Sequence, residues 1–374
     1  MKGIPQVKLQ RHGTIACLAL TAVLGLSACG SDNNEPATGA SASGSAAAAD
    51  CATGTLNAQG SSAQKNAMDE WIKAHQQKCS GAKINYEPSG SGAGIQAFIA
   101  GTADFAGSDS ALKPEEQPQA DAKCTDGKAI HLPMVIGPVA IAYNLDGVDN
   151  LQLKPATLAK IFAGKVTKWD DPAIKADNPG VTLPSTAINA VHRADSSGTT
   201  DNFTNFLSKT AEADWTFGKA KEWKAPGGTG ANKSDGVASA IKGQAGTIGY
   251  VEWSYAENGG LKMAKVANGA GEFVALTAES AGKTIAGAKV EGQGDDLKMS
   301  IDYNTKEAGA YPIVLVTYEI VCGKGLAADK LPLVKGFLAH AASTEGQAAL
   351  TELGYAPLPD SVRTKVESAV KNLS

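Results

Sequence analysis

Within seven consecutive positions the chain places Arg193, Ser197, Gly198 and Thr199, just ahead of Phe203, Phe206 and Leu207, whose spacing fits one face of a helix. The arginine is a planar cation with five donors, and its neighbours add two hydroxyls and unobstructed backbone N–H groups. A helix N-terminus carries unpaired N–H groups and a partial positive charge, so its natural guest is an anion. Two upstream segments, Gly60-Ser61-Ser62 and Ser89-Gly90-Ser91-Gly92-Ala93-Gly94, have the same character. Three such turns feeding one site would cage a small tetrahedral oxyanion.

Other chemistries fit less well. Ser89–Gly94 reads Gly-x-Gly-x-Gly, not the Gly-x-Gly-x-x-Gly of a dinucleotide fold. Gly227-Gly228-Thr229-Gly230-Ala231-Asn232-Lys233-Ser234 nearly spells a phosphate-binding loop, but Asn232 occupies the place of the second glycine, and a surface loop is expected. Neither Ser91 nor Ser197 sits in a Gly-x-Ser-x-Gly elbow. His75, His131, His192 and His340 are expected to be ordinary strand or helix residues, and Trp169-Asp170-Asp171 a turn before Pro172. The acids lack the spacing of metal ligands. Donors abound and no catalyst is assembled, so a non-enzymatic protein without metal or cofactor is expected.

The elements that position these residues alternate. Lys83–Glu87 reads as a strand, and a helix stripe follows with Ile95, Phe98 and Ile99; a second strand ends near Phe105, directly before Ala106-Gly107-Ser108-Asp109. His131–Ile136, Val139–Tyr143, Thr247–Val251 and Tyr311–Tyr318 read as further strands. Helices are expected over Leu151–Phe162, Asp235–Lys242, Leu331–Ala341, Thr344–Leu353 (with a Thr344/Gln347 capping box) and Asp360–Leu373. The alternation predicts an α/β protein with mostly parallel sheets, whose ligands bind where strands give way to helices. The three donor turns and Asp109 all fall at such junctions.

Residues 1–28 carry Lys2, Lys8 and Arg11, no acid, and an apolar run from about Ile15 to Leu26, the layout of an export signal. Leu26-Ser27-Ala28-Cys29 resembles the lipobox of bacterial lipoproteins, which makes Cys29 the expected diacylated residue. Residues 29–50 are small and polar, the composition of a flexible tether. Cys51, Cys79, Cys124 and Cys322 remain for two disulfides; three pairings are open, and Cys51–Cys79 with Cys124–Cys322 is expected. About 320 residues are left for two lobes of ordinary size. Loss of the three signal-segment cations takes the net charge from −4 to −7. An anion must then be held by local, oriented donors, and a nucleic-acid partner is not expected.

Five separated motifs resemble one family. Ser91-Gly92, Ala103-Asp104-Phe105-Ala106-Gly107-Ser108-Asp109, Lys168-Trp169-Asp170-Asp171-Pro172, Arg193-Ala194-Asp195-Ser196-Ser197-Gly198-Thr199 and Gly246-Thr247-Ile248-Gly249-Tyr250-Val251-Glu252 are similar to segments of the high-affinity phosphate-binding proteins of bacterial phosphate ABC transporters. The ending Tyr355-Ala356-Pro357-Leu358-Pro359 is similar too, and the resemblance runs in order from about Gly54 to Leu373. It implies a two-lobed periplasmic-binding-protein fold of type II, with 51–134 and 312–374 in one lobe, 135–311 in the other, and a hinge between.

Carried over position by position, the family's ligand contacts fall on Ser62, the N–H of Ala63, Ser91, Asp109, Arg193, Ser197, Gly198 and Thr199, with Asp195 matching the acid that steadies the arginine. Two departures stand out. Ala63 stands where the family often has an aromatic residue, and His192 where it often has arginine. The resemblance implies a monomeric, lipid-anchored receptor on the outer face of the cell membrane. It would deliver inorganic phosphate to the importer's permease subunits and, through them, its ATPase. The alternatives are an exported phosphoesterase and a receptor for another oxyanion.

Overall fold

The computed structural model describes residues 51–374. The expected signal segment (1–28), lipidation site Cys29 and tether (29–50) lie outside the described residues. Among those described, no helix is long and apolar enough to cross a membrane.

The chain opens with β1 (Gly54–Gly60), α1 (Lys65–Lys78), β2 (Ala82–Glu87), α2 (Ser91–Ile99) and β3 (Phe105–Ser108). Next, α3 (Gln117–Lys123) leads to the long β4 (Ala129–Asn144), then β5 (Gln152–Leu153), α4 (Pro155–Phe162) and α5 (Pro172–Asp177). A second alternating stretch holds β6 (Asn189–Arg193), α6 (Gly198–Thr210), β7 (Thr229–Ala231), α7 (Lys233–Gly243), β8 (Thr247–Glu252) and α8 (Trp253–Gly259). Short strands β9 (Lys262–Met263), β10 (Lys265–Ala267) and β11 (Phe273–Val274) precede α9 (Ala278–Ala286), and β12 (Lys289–Val290) and β13 (Met299–Ser300) follow it. The chain finishes with β14 (Val314–Cys322), α10 (Leu331–Ala342), α11 (Thr344–Ala348) and α12 (Asp360–Asn372).

Nine strands share one sheet in the order β2-β1-β3-β14-β4-β8-β6-β7, with β9 beside β4. β1 is parallel to β2 and β3, and β6 is parallel to β7 and β8. β14 is antiparallel to β3 and β4, and β4 to β8. The sheet expected to be mostly parallel is therefore mixed. Two long strands running in opposite directions join the two parallel groups. Both faces of β4 and β14 are buried over almost their whole length, so neither shows an alternation in sequence.

β4 pairs with β14 up to Pro138 and with β8 from Val139 onward. The two strands expected over 131–136 and 139–143 are thus one strand that changes partner at its proline, where a missing N–H is tolerated. Three boundaries also move. β3 starts rather than ends at Phe105, the helix expected from Leu151 begins at Pro155 after a two-residue strand, and β14 begins at Val314 rather than Tyr311. The cap of α11 is Ser343, whose side chain accepts from the N–H of Gly346, so the expected Thr344/Gln347 box is absent. Disulfides join Cys51 to Cys79 and Cys124 to Cys322.

Packing aims the helices. Phe203, Phe206 and Leu207 of α6 are fully buried, and the Phe203 ring stacks on Tyr250 of β8 with centroids 4.4 Å apart. That contact fixes the N-terminus of α6 against the carboxyl ends of β6 and β8.

Candidate anion-binding site

Four helix N-termini meet at one place. Ser61–Gln64 lead into α1, Ser91 opens α2, Gly198 and Thr199 open α6, and Ser234 lies in the first turn of α7. Each brings unpaired amides and the positive end of a dipole. Contacts between them are close and depend on glycine. A Cβ on Gly198 would lie 2.5 Å from Asp109 Cβ and 2.6 Å from Ser91 Oγ, and one on Gly90 would lie 2.6 Å from Asp195 Oδ2. Side chains at either position would push the turns apart.

Asp109 anchors one side. Its Oδ1 accepts from Ser61 Oγ (2.5 Å) and Thr317 Oγ1 (2.7 Å), and its Oδ2 from Ser91 Oγ (3.0 Å). Its backbone carbonyl accepts from Asn202 Nδ2 of α6 at 2.7 Å. Burial pushes the carboxyl up to about 6, with the nearby Glu252 charge adding to the effect and the three hydroxyl donors opposing it.

Arg193 anchors the other. Its Nε and Nη2 donate to the two oxygens of Asp195 at 2.8 and 2.5 Å, a bidentate pair. Its Nη1 donates to Thr199 Oγ1 (3.2 Å) and Ser234 Oγ (3.3 Å). Burial alone would lower the arginine's pKa, but Asp195 and Glu252 together hold it above its ordinary value. Burial likewise opposes the charge on Asp195, which the Arg193 contact overcomes, keeping that carboxyl low.

The expected residues are treated unevenly. Ser62, Ser91, Asp109, Arg193, Asp195, Gly198 and Thr199 converge. The Ala63 N–H is turned onto Ser61 Oγ of its own loop at 3.0 Å. Ser197 caps α6 through its side chain, which accepts from the N–H of Thr200, while its own N–H donates to the Lys221 carbonyl. Both residues line the turns with their N–H groups engaged within the protein, and the Ser197 hydroxyl, an acceptor here, keeps its hydrogen to donate.

Ser234, Thr317 and Glu252 belong to the cluster without having been expected there, and Ser61, of the expected first donor turn, joins it through Asp109. Ser62 Oγ and Ser234 Oγ are 2.9 Å apart, and Thr199 Oγ1 donates to Glu252 Oε1 at 2.5 Å. The stretch 227–234, expected as a surface loop, instead contributes β7 and the start of α7, with Ser234 buried. Lys233 takes a positive φ of 61°, and its N–H donates to Asp195 Oδ1 at 2.9 Å. The glycines and the Lys-Ser pair that opens a helix are the usable signal; the absent second glycine hides it.

Among the described residues the histidines and Asp171 are structural. His192 stacks on Trp223 with centroids 4.7 Å apart, His131 bonds Asp296, and His75 lies against Phe337 and His340. Asp171 caps α5 by accepting from the N–H of Ala173.

Comparison with known proteins agrees with this geometry. The PBP superfamily domain model matches residues 45–345. Phosphate-binding protein PstS 3 of Mycobacterium tuberculosis (strain H37Rv) is 42% identical over 372 residues, covering 98% of this chain and all of the relative. PstS 2 of the same strain is 40% identical over 373 residues, covering 98% of this chain and all of that protein. A crystallised high-affinity periplasmic phosphate-binding protein, PfluDING, superposes with a TM-score of 0.69 at 24% identity, covering 84% of this chain and 93% of its own, a likeness of fold. The chain therefore belongs to the PBP superfamily and, within it, to the PstS family of phosphate-binding proteins.

Proposed function

We propose that this protein captures inorganic phosphate outside the cytoplasmic membrane and hands it to the permease subunits of an ABC importer, whose ATPase drives uptake. The observation that carries the reading is the meeting, at four helix N-termini, of the Arg193, Thr199, Ser234 and Ser62 group with the Asp109 and Ser91 group, which abut at Gly198. Charge-assisted hydrogen bonds contribute roughly 1.5–3 kcal/mol each, and micromolar affinity needs about 8 kcal/mol net, so a handful of such donors suffices. An entering anion takes over donors that otherwise bond one another, notably Ser62, Ser234 and the Nη1 of Arg193. Ser62, Ala63, Ser91, Arg193, Ser197, Gly198 and Thr199 are the proposed donors, and Asp195 holds the guanidinium in its plane.

Asp109 supplies selectivity. A carboxylate facing an oxyanion is favourable only if it accepts a hydrogen bond from a protonated ligand oxygen. Phosphate near neutral pH carries such a proton and sulfate does not, so sulfate leaves Asp109 repelled.

Residues 51–134 with 312–374 are proposed as one lobe and 135–311 as the other, closing about the partner change in β4 at Pro138 and Val139. Cys29 is proposed as the lipidated anchor of a monomer. Retention of labelled phosphate on equilibrium dialysis, with no release of product from a phosphate ester with or without divalent metals, is the expected result; turnover would make the protein an enzyme.

A further inference from the structure

Glu319 stands on β14 two residues after Thr317, across a register shift in the pairing with β4 between Thr317 and Tyr318, and both residues act on Asp109. Thr317 bonds Asp109 directly. Glu319 is 1% exposed, and neither of its carboxyl oxygens has a hydrogen-bond partner among the described residues. Gln64, fully buried, faces it, and the Gln64 Oε1 is likewise without a partner. With Gln64 Nε2 committed to Tyr86 Oη, the Gln64 atom left over is the acceptor Oε1, and only a neutral carboxyl has a proton to give it.

The other end of Gln64 leads to the site. Its Nε2 donates to Tyr86 Oη (3.0 Å), and Tyr86 Oη donates to the Ser61 carbonyl (2.7 Å). Ser61 Oγ in turn donates to Asp109 and accepts from the N–H of Ala63. One chain of hydrogen bonds thus runs from Gln64, beside Glu319, to the first donor turn.

We propose that Glu319 is a positioning residue for anion capture: held as the neutral acid, it donates to Gln64 Oε1 and fixes the Ser61–Ala63 turn, and its ionisation weakens phosphate binding. The inference rests on the phosphate reading above. The titratable groups facing Glu319 are Asp109, from the turn after β3, and Tyr86 of β2. Its strand partners are Gly107 and Leu132, and no cation is among these neighbours. Burial, reinforced by the Asp109 charge and opposed in part by Gln64, pushes Glu319 up to about 8. Ionisation would place a second carboxylate charge beside Asp109 and take away the proton offered to Gln64 Oε1.

The test is the phosphate Kd of the full chain and of Glu319→Gln from roughly pH 6.5 to 9.5, each profile normalised to its value at the acidic end. The glutamine keeps a neutral donor at that place. Wild-type affinity is expected to fall relative to the variant by up to about tenfold per pH unit above the Glu319 transition. Superimposable profiles would overturn the proposal. Absence of phosphate binding by both proteins at every pH would overturn the phosphate reading and this inference with it. Should the variant not fold, wild-type protein carrying isotope-labelled glutamate is expected to show an infrared band of a protonated carboxyl at neutral pH that disappears on alkaline titration. No such band at neutral pH would refute the neutral Glu319.

Discussion

Ser62 and Ser234 touch through their hydroxyl oxygens at 2.9 Å although 172 residues separate them, and the N–H of Ser234 also donates to Ser62 Oγ at 3.1 Å. Ser62 precedes α1 and Ser234 opens α7, so this contact ties the first donor turn to the group that holds Arg193.

Ser234→Ala removes a hydroxyl shared by Ser62 and Arg193 while leaving the helix N-terminus intact. Phosphate affinity is expected to weaken by about tenfold, the worth of one hydrogen bond of roughly 1–1.5 kcal/mol. Calorimetric titration of the variant checks this, and an unchanged Kd would remove Ser234 from the site.

Arg193→Ala is expected to cost at least about tenfold more affinity than Ser91→Ala. It removes a buried cation and strands Asp195, whereas Ser91→Ala takes one of three hydroxyl donors from Asp109. Equal losses in the two variants would contradict this ranking.

The legible and illegible parts of the chain divide on physical grounds. Donor turns at strand-to-helix junctions are local, so Ser91, Arg193 and Thr199 can be found from the residues around them. The α6 stripe of Phe203, Phe206 and Leu207 is equally local, and all three are buried. Thr317 and Glu319 sit in a strand buried on both faces, where no pattern separates a site residue from core. Ser234 is masked by an imperfect motif. The direction of β4 and β14 depends on pairing across the whole sheet, which hydrophobic periodicity does not encode.

Stability of the anion-free protein is expected to depend on pH through two buried acids. Asp109 rises from 3.8 to about 6 and Glu319 from 4.5 to about 8, mainly by burial. In both windows the folded chain keeps a proton that the unfolded chain has released, so stability falls as pH rises through them. Glu319→Gln removes the larger contribution. Its melting temperature is expected to gain on wild type between roughly pH 5 and 8 and to level off above, since each pH unit crossed within that window corresponds to about 1.4 kcal/mol. A gap independent of pH would contradict the assignment.

Selective capture of phosphate depends on Asp109 accepting a hydrogen bond from the proton of the bound anion. Calorimetric titration of wild type and Asp109→Asn with phosphate and with sulfate, near neutral pH, tests this directly. Wild type is expected to bind one phosphate per chain at micromolar or tighter Kd and to reject sulfate. Asp109→Asn should lose far more of its preference than of its phosphate affinity. Wild type that takes both anions alike, or a preference untouched by the substitution, would contradict it.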